Sequence, residues 1–328
     1  MLTITTPCKI KGWILDAYPS NEGEITVWII SESGQRIRLI DKFQSKIYVS
    51  SKQESIDPLI GKLYNNPDVA HWNFVYKYAQ PTDSEKSKVL ELSLRDCRRT
   101  TTLTNNILRL GDYMRYQVSN CDLKGDRAYF FSHDIFPLAF LEVQVEKTGL
   151  QYNLLDSVAN TDYEIPPFRV MKLELGIAKK KKIADFDDPI GNIRVSQEQQ
   201  EKEIVSGDEA EKLLELVKVV KELDPDFLVT SGGDSHLFPY LTERATLSGV
   251  IDKFTLSRDC TPFSSKTPSG KTFFSYGRTF YRAGPIRLYG RIHIDKSNTF
   301  GLSEAGLDGL IEIARTCRVP LHTVLGTL

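Results

Sequence analysis

The chain has no CxxC pair among its five cysteines, Cys8, Cys97, Cys121, Cys260 and Cys317. Scattered in this way they fit reduced thiols better than a disulfide framework or a zinc site. It has little net charge, −1 at neutral pH, so there is no polybasic coat, and any nucleic-acid contact must come from local patches. No apolar run approaches the roughly 20 residues that span a bilayer. The opening "MLTITTPCKIKGW" lacks the charged-then-apolar plan of a signal peptide, which leads us to expect a cytoplasmic protein without a membrane partner. Gly232-Gly233 lacks the Gly-Lys-Ser/Thr ending of a phosphate loop. Cys97 and Cys260 have no evident base partner, which leaves nucleophilic catalysis unsupported. What is present is an ordinary globular balance, 41% apolar and 26% charged, in 328 residues, enough for two domains with separate cores.

The first part reads as strands and turns. "ITVWIISESGQRIRLI" is two β-rich runs around Ser33-Gly34, hence a hairpin, and "KIYVSS" is a further strand. "DPLIGKLYNNPDVAHWNFVYKYA" reads as a short helix, a turn at Asn65–Pro67 and a strand. A helix is expected over Thr100–Leu110, stopped at Gly111. "PLAFLEVQVE" is a strand closing the unit. Turn residues across 147–168, including Asp156, Asn160 and Pro166-Pro167, place the boundary between a domain 1–150 and a domain 151–328.

Beyond it, "FRVMKLELGI" alternates, with Val170, Lys172, Glu174 and Gly176 on one face and Met171, Leu173, Leu175 and Ile177 on the other. "AKKKKIADFDDPIGN" reads as a polar loop or loose hairpin. "SGDEAEKLLELVKVVKELDPD" is the clearest helix, with Ser206 and Glu209 as a capping box and an apolar stripe from Leu213 to Leu223. Asp224-Pro225 ends it and "FLVT" follows as a buried strand. Residues 271–295 suggest successive strands, with His293 and Asp295 on a polar face. A last helix is expected from about Ser303, with Leu307, Leu310, Ile311 and Ala314 on one side. The mixture is α/β with some antiparallel strands.

Together "DYEIPPFRVMKLEL", "LLELVKVVKELDPDFLVTSGGDSHLFPYLTERA", "GRIHID" and "GLIEIARTCRVPL" resemble archaeal family B DNA polymerases, with "GWILDAYPS" and "YFFSHDIFPLAFLEV" in support. The likeness preserves order and spacing along nearly the whole chain. It implies an α+β N-terminal domain followed by a ribonuclease-H-like 3′–5′ exonuclease domain with a mixed sheet flanked by helices. No "DxxSLYPS"-like or "DTD"-like polymerase motif occurs, so polymerisation by this chain alone is not expected. The resemblance also locates a uracil-reading pocket around Trp13, Tyr18 and residues 92–118, whose lining has no residue-by-residue match here.

Two-metal hydrolysis of a phosphodiester requires several carboxylates that hold ions about 4 Å apart. The family's first motif, D-x-E, falls on Glu174 and Gly176, an acid with one more methylene and no ligand at all. The acid of the second motif, just before "FPYL", is Leu237, and the preceding Asn and Phe fall on Gly232 and His236. The third, Y-x-x-x-D, is best matched by Phe300-Gly-Leu-Ser-Glu304, which loses the tyrosine hydroxyl. Such losses weaken the hold on oxygen-seeking cations. The expectation is an inactivated exonuclease with no catalytic residue and no bound cofactor, acting as a DNA-binding scaffold that docks on a separate polymerase-core polypeptide. The rival is an active Mg²⁺ or Mn²⁺ nuclease rebuilt on Glu174, Asp234, Asp295 and Glu304. A protein-only polymerase accessory factor is a third reading.

Asp234-Ser235-His236 forms a D-x-H pattern, but Asp and His after two glycines are ordinary turn residues, the favoured reading. Asp185, Asp187 and Asp188 read as a solvated loop before replacement ligands. The run Lys179, Lys180, Lys181 and Lys182 is read equally as a DNA contact or a solvated hairpin tip. Arg95, Arg98 and Arg99, with Arg109 and Arg115, suggest a second basic patch, beside Tyr113 and Tyr116 as candidate stacking residues.

Overall fold

The hairpin expected around Ser33-Gly34 forms and starts the first sheet. The computed structural model describes residues 2–3, 8–51, 56–78, 80, 82–178, 186–264, 268–275 and 277–327. In chain order the first unit comprises β1 (Leu2–Thr3), β2 (Cys8–Pro19), β3 (Glu24–Ser31), β4 (Arg36–Lys42), β5 (Lys46–Ser51) and α1 (Asp57–Leu63). It continues through β6 (Val69–Lys77), β7 (Ser87–Leu94), α2 (Thr100–Leu110), β8 (Tyr116–Ser119), α3 (Gly125–Ser132), β9 (Phe140–Glu146) and β10 (Gly149–Leu154). One sheet has the order β1-β4-β3-β2-β9-β10 and a second has β6-β7-β5-β8. β10 pairs along β9 as far as Leu154, so this unit's sheet runs past the boundary drawn at 150.

β3 is buried from Ile25 to Ser31 because both its faces are covered. Ile25, Val27 and Ile29 join Ile14, Tyr129, Phe136 and Leu141 in the unit's own core. Trp28 and Ile30 face the other way, where Leu15 and Tyr18 join them after an irregularity between Ile14 and Asp16 in β2. That bulge turns one stretch of β2 toward the second unit.

The second unit holds β11 (Val170–Ile177), β12 (Ile190–Gln197), β13 (Gln200–Ile204), α4 (Glu209–Leu223), β14 (Phe227–Thr230) and α5 (Phe238–Leu247). Then come β15 (Lys271–Ser275), β16 (Arg278–Arg282), β17 (Ile292–Asp295), α6 (Gly301–Thr316) and α7 (Leu321–Thr327). Its sheet has the order β13-β12-β11-β14-β17. β11, β14 and β17 are parallel, while β12 and β13 are antiparallel, the mixed sheet expected of a ribonuclease-H-like domain. Leu213, Leu216 and Val220 of α4, with Phe238 and Leu241 of α5, cover one face over Met171, Leu173 and Ile193. The other face packs Phe227, Ile292 and Ile294 against Leu310, Ile311 and Leu321 of the last helices and against Trp28 and Tyr18. The two units therefore share a core.

Three local expectations are corrected. The capping box of α4 is Asp208 with Glu211, not Ser206 with Glu209; the Asp208 carboxylate accepts from the Glu211 amide at 2.8 Å. Glu209 instead accepts from the Ile190 amide at 2.7 Å and pairs with Arg244. β17 has no polar face: Ile292, His293, Ile294 and Asp295 are all buried. α6 begins at Gly301 rather than Ser303 and breaks at Gly306, whose φ of 66° suits only glycine.

Candidate exonuclease-like site

The first two motif positions lie on β11. Glu174 points to solvent, its side chain 67% exposed, with Arg194 at 3.8 Å. Gly176 sits opposite Asn192 of β12. A Cβ built on Gly176 would meet the Asn192 Oδ1, so a side chain there requires that amide to swing aside. Asn192 is held there by Glu203, to which its Nδ2 donates.

After β14 the chain turns through Gly232, at φ 72°, into a five-residue π turn over Gly233–Leu237 and then α5. Pro239 at the start of α5 is tolerated because the first helical turn needs no N–H. Leu237 is buried in the wall of a pocket of about 350 Å³, with Leu175, Ile177, Phe186 and Tyr240 around it and Glu174, Ser231 and His236 also on the lining. The lining supplies one carboxylate, Glu174, with the Ser231 hydroxyl and His236 in an otherwise largely apolar wall, which does not fit the several bridging acids of a two-metal site for Mg²⁺ or Mn²⁺.

Asp234 does not line that pocket. Its carboxylate accepts from the Ile286 amide at 2.7 Å and from Asn298 Nδ2 at 2.8 Å, and His293 Nδ1 lies 3.3 Å away. Burial pushes this carboxyl up, but His293, the Ile286 amide and Asn298 outweigh it and hold it below the usual range. His293 Nε2 bonds Thr230 Oγ1 at 2.8 Å. Asp295 is equally committed, accepting from the amides of Gly232 at 2.8 Å, Asp234 at 2.9 Å and Ser297 at 2.9 Å. Its work is to fasten the turn after β14 to the end of β17. Phe300 and Glu304 lie at the start of α6, away from the pocket lining, and Arg282 sits 5.4 Å over the Phe300 ring. The quartet Glu174, Asp234, Asp295 and Glu304 thus does not assemble, and among the described residues no three His, Cys, Asp or Glu side chains could hold a metal ion. Both aspartates are instead engaged by backbone amides and by Asn298.

This chain has the fold of part of a family B DNA polymerase. Its structure matches that of the family B DNA polymerase from Pyrobaculum calidifontis with a TM-score of 0.71 at 18% identity, over 97% of this chain and 48% of that one. Over 250 residues, 72% of the chain, it is 22% identical to the DNA polymerase of Archaeoglobus fulgidus and spans 30% of that protein. A stretch of 93 residues, 28% of the chain, is 46% identical to the DNA polymerase of Pyrococcus horikoshii, of which it covers 6%. The chain therefore spans less than half the length of these relatives. No family model matches.

In this polymerase-like frame the candidate DNA contacts divide. Lys179, Lys180, Lys181 and Lys182, with Asp185, lie outside the described residues. Arg98 is bound by Asp96 at 2.8 Å and Arg99 by Asp68 at 3.1 Å, so only Arg95 of that trio stands exposed without an ion pair among the described residues. Tyr113 is exposed, whereas Tyr116 is a core residue. Sequence reading missed the β15–β16 hairpin as a surface. It exposes Phe273, Phe274, Phe280 and Tyr281, and the run from Lys271 to Arg282 contains three cations and no acid. Phe273 and Phe280 stack at 5.6 Å on the face that the register shares with Lys271, Arg278 and Arg282. The signal was legible: aromatics interleaved with cations and no carboxylate.

No helix among the described residues is long and apolar enough to cross a membrane.

Proposed function

We propose that the chain is a non-catalytic, DNA-binding and scaffolding portion of a family B DNA polymerase, serving DNA replication or repair beside a polymerase core, the partner that sequence reading assigns to a separate polypeptide. The observation that carries the non-catalytic reading is Leu237 set in an apolar pocket where the family's ligand would stand, with Asn192 over Gly176 beside it. Both replacements are integrated into packing, while the surrounding sheet and helices retain a full core. The β15–β16 hairpin supports DNA binding. Its exposed rings offer stacking surfaces that accept any base, and Lys271 and Arg278 offer charge to phosphates.

The test incubates the protein with 5′-labelled single-stranded DNA and Mg²⁺ or Mn²⁺, and measures binding of the same strand by fluorescence anisotropy at low and high salt. The expected result is an intact strand and an affinity that falls with salt. Metal-dependent shortening that disappears in Glu174→Ala overturns the non-catalytic reading. No binding even at low salt overturns the DNA-binding reading and favours the protein-only accessory role.

A further inference from the structure

The two units enclose a cavity of about 690 Å³, away from the exonuclease-like pocket, between the β3–β4 turn and the start of β11 and end of α4. Its lining carries Arg36, Arg169, Lys221, Arg258 and Arg291 against one acid, Asp224. Asp226, fully buried behind Arg36 and Arg258, brings the carboxylates to two against five cations. Arg36, Arg258 and Arg291 have side chains only 4% exposed. Burial, and then the charge of Arg258, pull the Arg291 guanidinium down to about 10, against the opposing pull of Asp224 and Asp226.

We propose that this cavity between the units binds a small oligophosphate anion. The buried guanidiniums are fixed by their protein partners and supply the field; the contacts fall to groups at the mouth. Arg169 is 40% exposed, and among the described residues its one ion pair is with Asp224, at 3.6 Å. Lys221 is exposed on the last turn of α4, with no ion pair among the described residues. The buried Ser257 hydroxyl accepts from the Tyr289 amide at 3.1 Å, which leaves its own proton to donate. A compact chain of phosphates matches such a recess: several charges in little volume, with many acceptors for charge-assisted bonds. Inorganic oligophosphate and the tail of a nucleotide share that chemistry.

The experiment titrates inorganic tripolyphosphate, and separately dATP, into the whole protein by calorimetry and follows Tm. Arg169→Gln/Lys221→Gln serves as the test variant, Lys218→Gln on the same helix as the charge control, and Phe274→Ala/Tyr281→Ala as the hairpin control. Tripolyphosphate is expected to bind near one per chain and raise Tm, with affinity about tenfold or more weaker in the test variant and unchanged in both controls. The test variant should keep the wild-type Tm without ligand, because its two side chains are exposed. Tighter binding of dATP than of tripolyphosphate assigns the nucleotide as the source; tighter binding of tripolyphosphate assigns the inorganic form. Absent binding, several anions per chain, or equal binding by the test variant overturns the proposal.

Discussion

Arg36 and Asp226, 190 positions apart, meet through two hydrogen bonds of 3.0 and 2.5 Å with both side chains out of solvent. The same carboxylate accepts from Arg258 Nη2 at 3.0 Å and from the Arg169 amide at 2.9 Å. One acid thus ties the edge of the first unit's hairpin to the strand ends of the second. Removing it leaves the buried Arg36 with backbone carbonyls alone while Arg258 keeps Asp224, and a buried pair broken on one side costs about 3–5 kcal/mol. Asp226→Ala should lose about that much in urea unfolding, whereas Glu201→Ala on the exposed β13 should change stability by less than about 1 kcal/mol.

The hairpin rings predict a stacking signature. Phe274 and Tyr281 are 73% and 66% exposed, so truncating either removes little packing. A base stacked on an aromatic contributes about 1–3 kcal/mol, so each alanine variant should weaken single-strand binding by about fivefold or more. Arg278→Ala should instead lower the salt slope by about 0.7, the release of one counterion from a single strand. Anisotropy titrations at several salt concentrations separate the two.

Asp234 gives a pH dependence of definite sign. Its carboxyl is held below its ordinary 3.8, so its contribution to stability is present above that value and is lost as the pH falls through the lower folded value. Asp234→Asn should be less stable than wild type near neutrality, and the difference should shrink as the pH drops below about 4. Chemical unfolding across pH measures it.

Gly233 has no room for a side chain. A Cβ there would strike Thr230 Oγ1 and His293 Nε2, the two partners of a 2.8 Å hydrogen bond. Gly233→Ala should cost about 1–3 kcal/mol as an overpacked site, read as a lower Tm.

The parts of the fold that were legible in the sequence are those with strong periodicity. The stripe on α4, the alternation on β11 and the hairpin around Ser33-Gly34 all stand where patterning puts them. β12 and β13 were not seen as strands, because Arg194, Glu201 and Glu203 make an exposed cross-strand charge ladder that reads as loop composition. β17 misled in the opposite sense. His293 and Asp295 look like a polar face, yet they are buried because Thr230, the Ile286 carbonyl and three backbone amides satisfy them. The cap shifted from Ser206 to Asp208 because both pairs have the same spacing, and only Asp208 lies next to the first helical residue. In the candidate site, the residue substitutions were readable but their neighbours were not. Nothing local in the sequence says that Asn192 occupies the space over Gly176, since register across β11 and β12 brings them together.

That pairing sets what an acid at this position would require. An acid returned at 176 alone would meet the Asn192 amide and still lack its counterpart at 237; an acid returned at 237 alone would enter an apolar wall unpaired. On the non-catalytic reading proposed above, an acid at 176 is accommodated only if the Asn192 side chain swings aside, and an acid at 237 only if a counter-charge enters the wall with it.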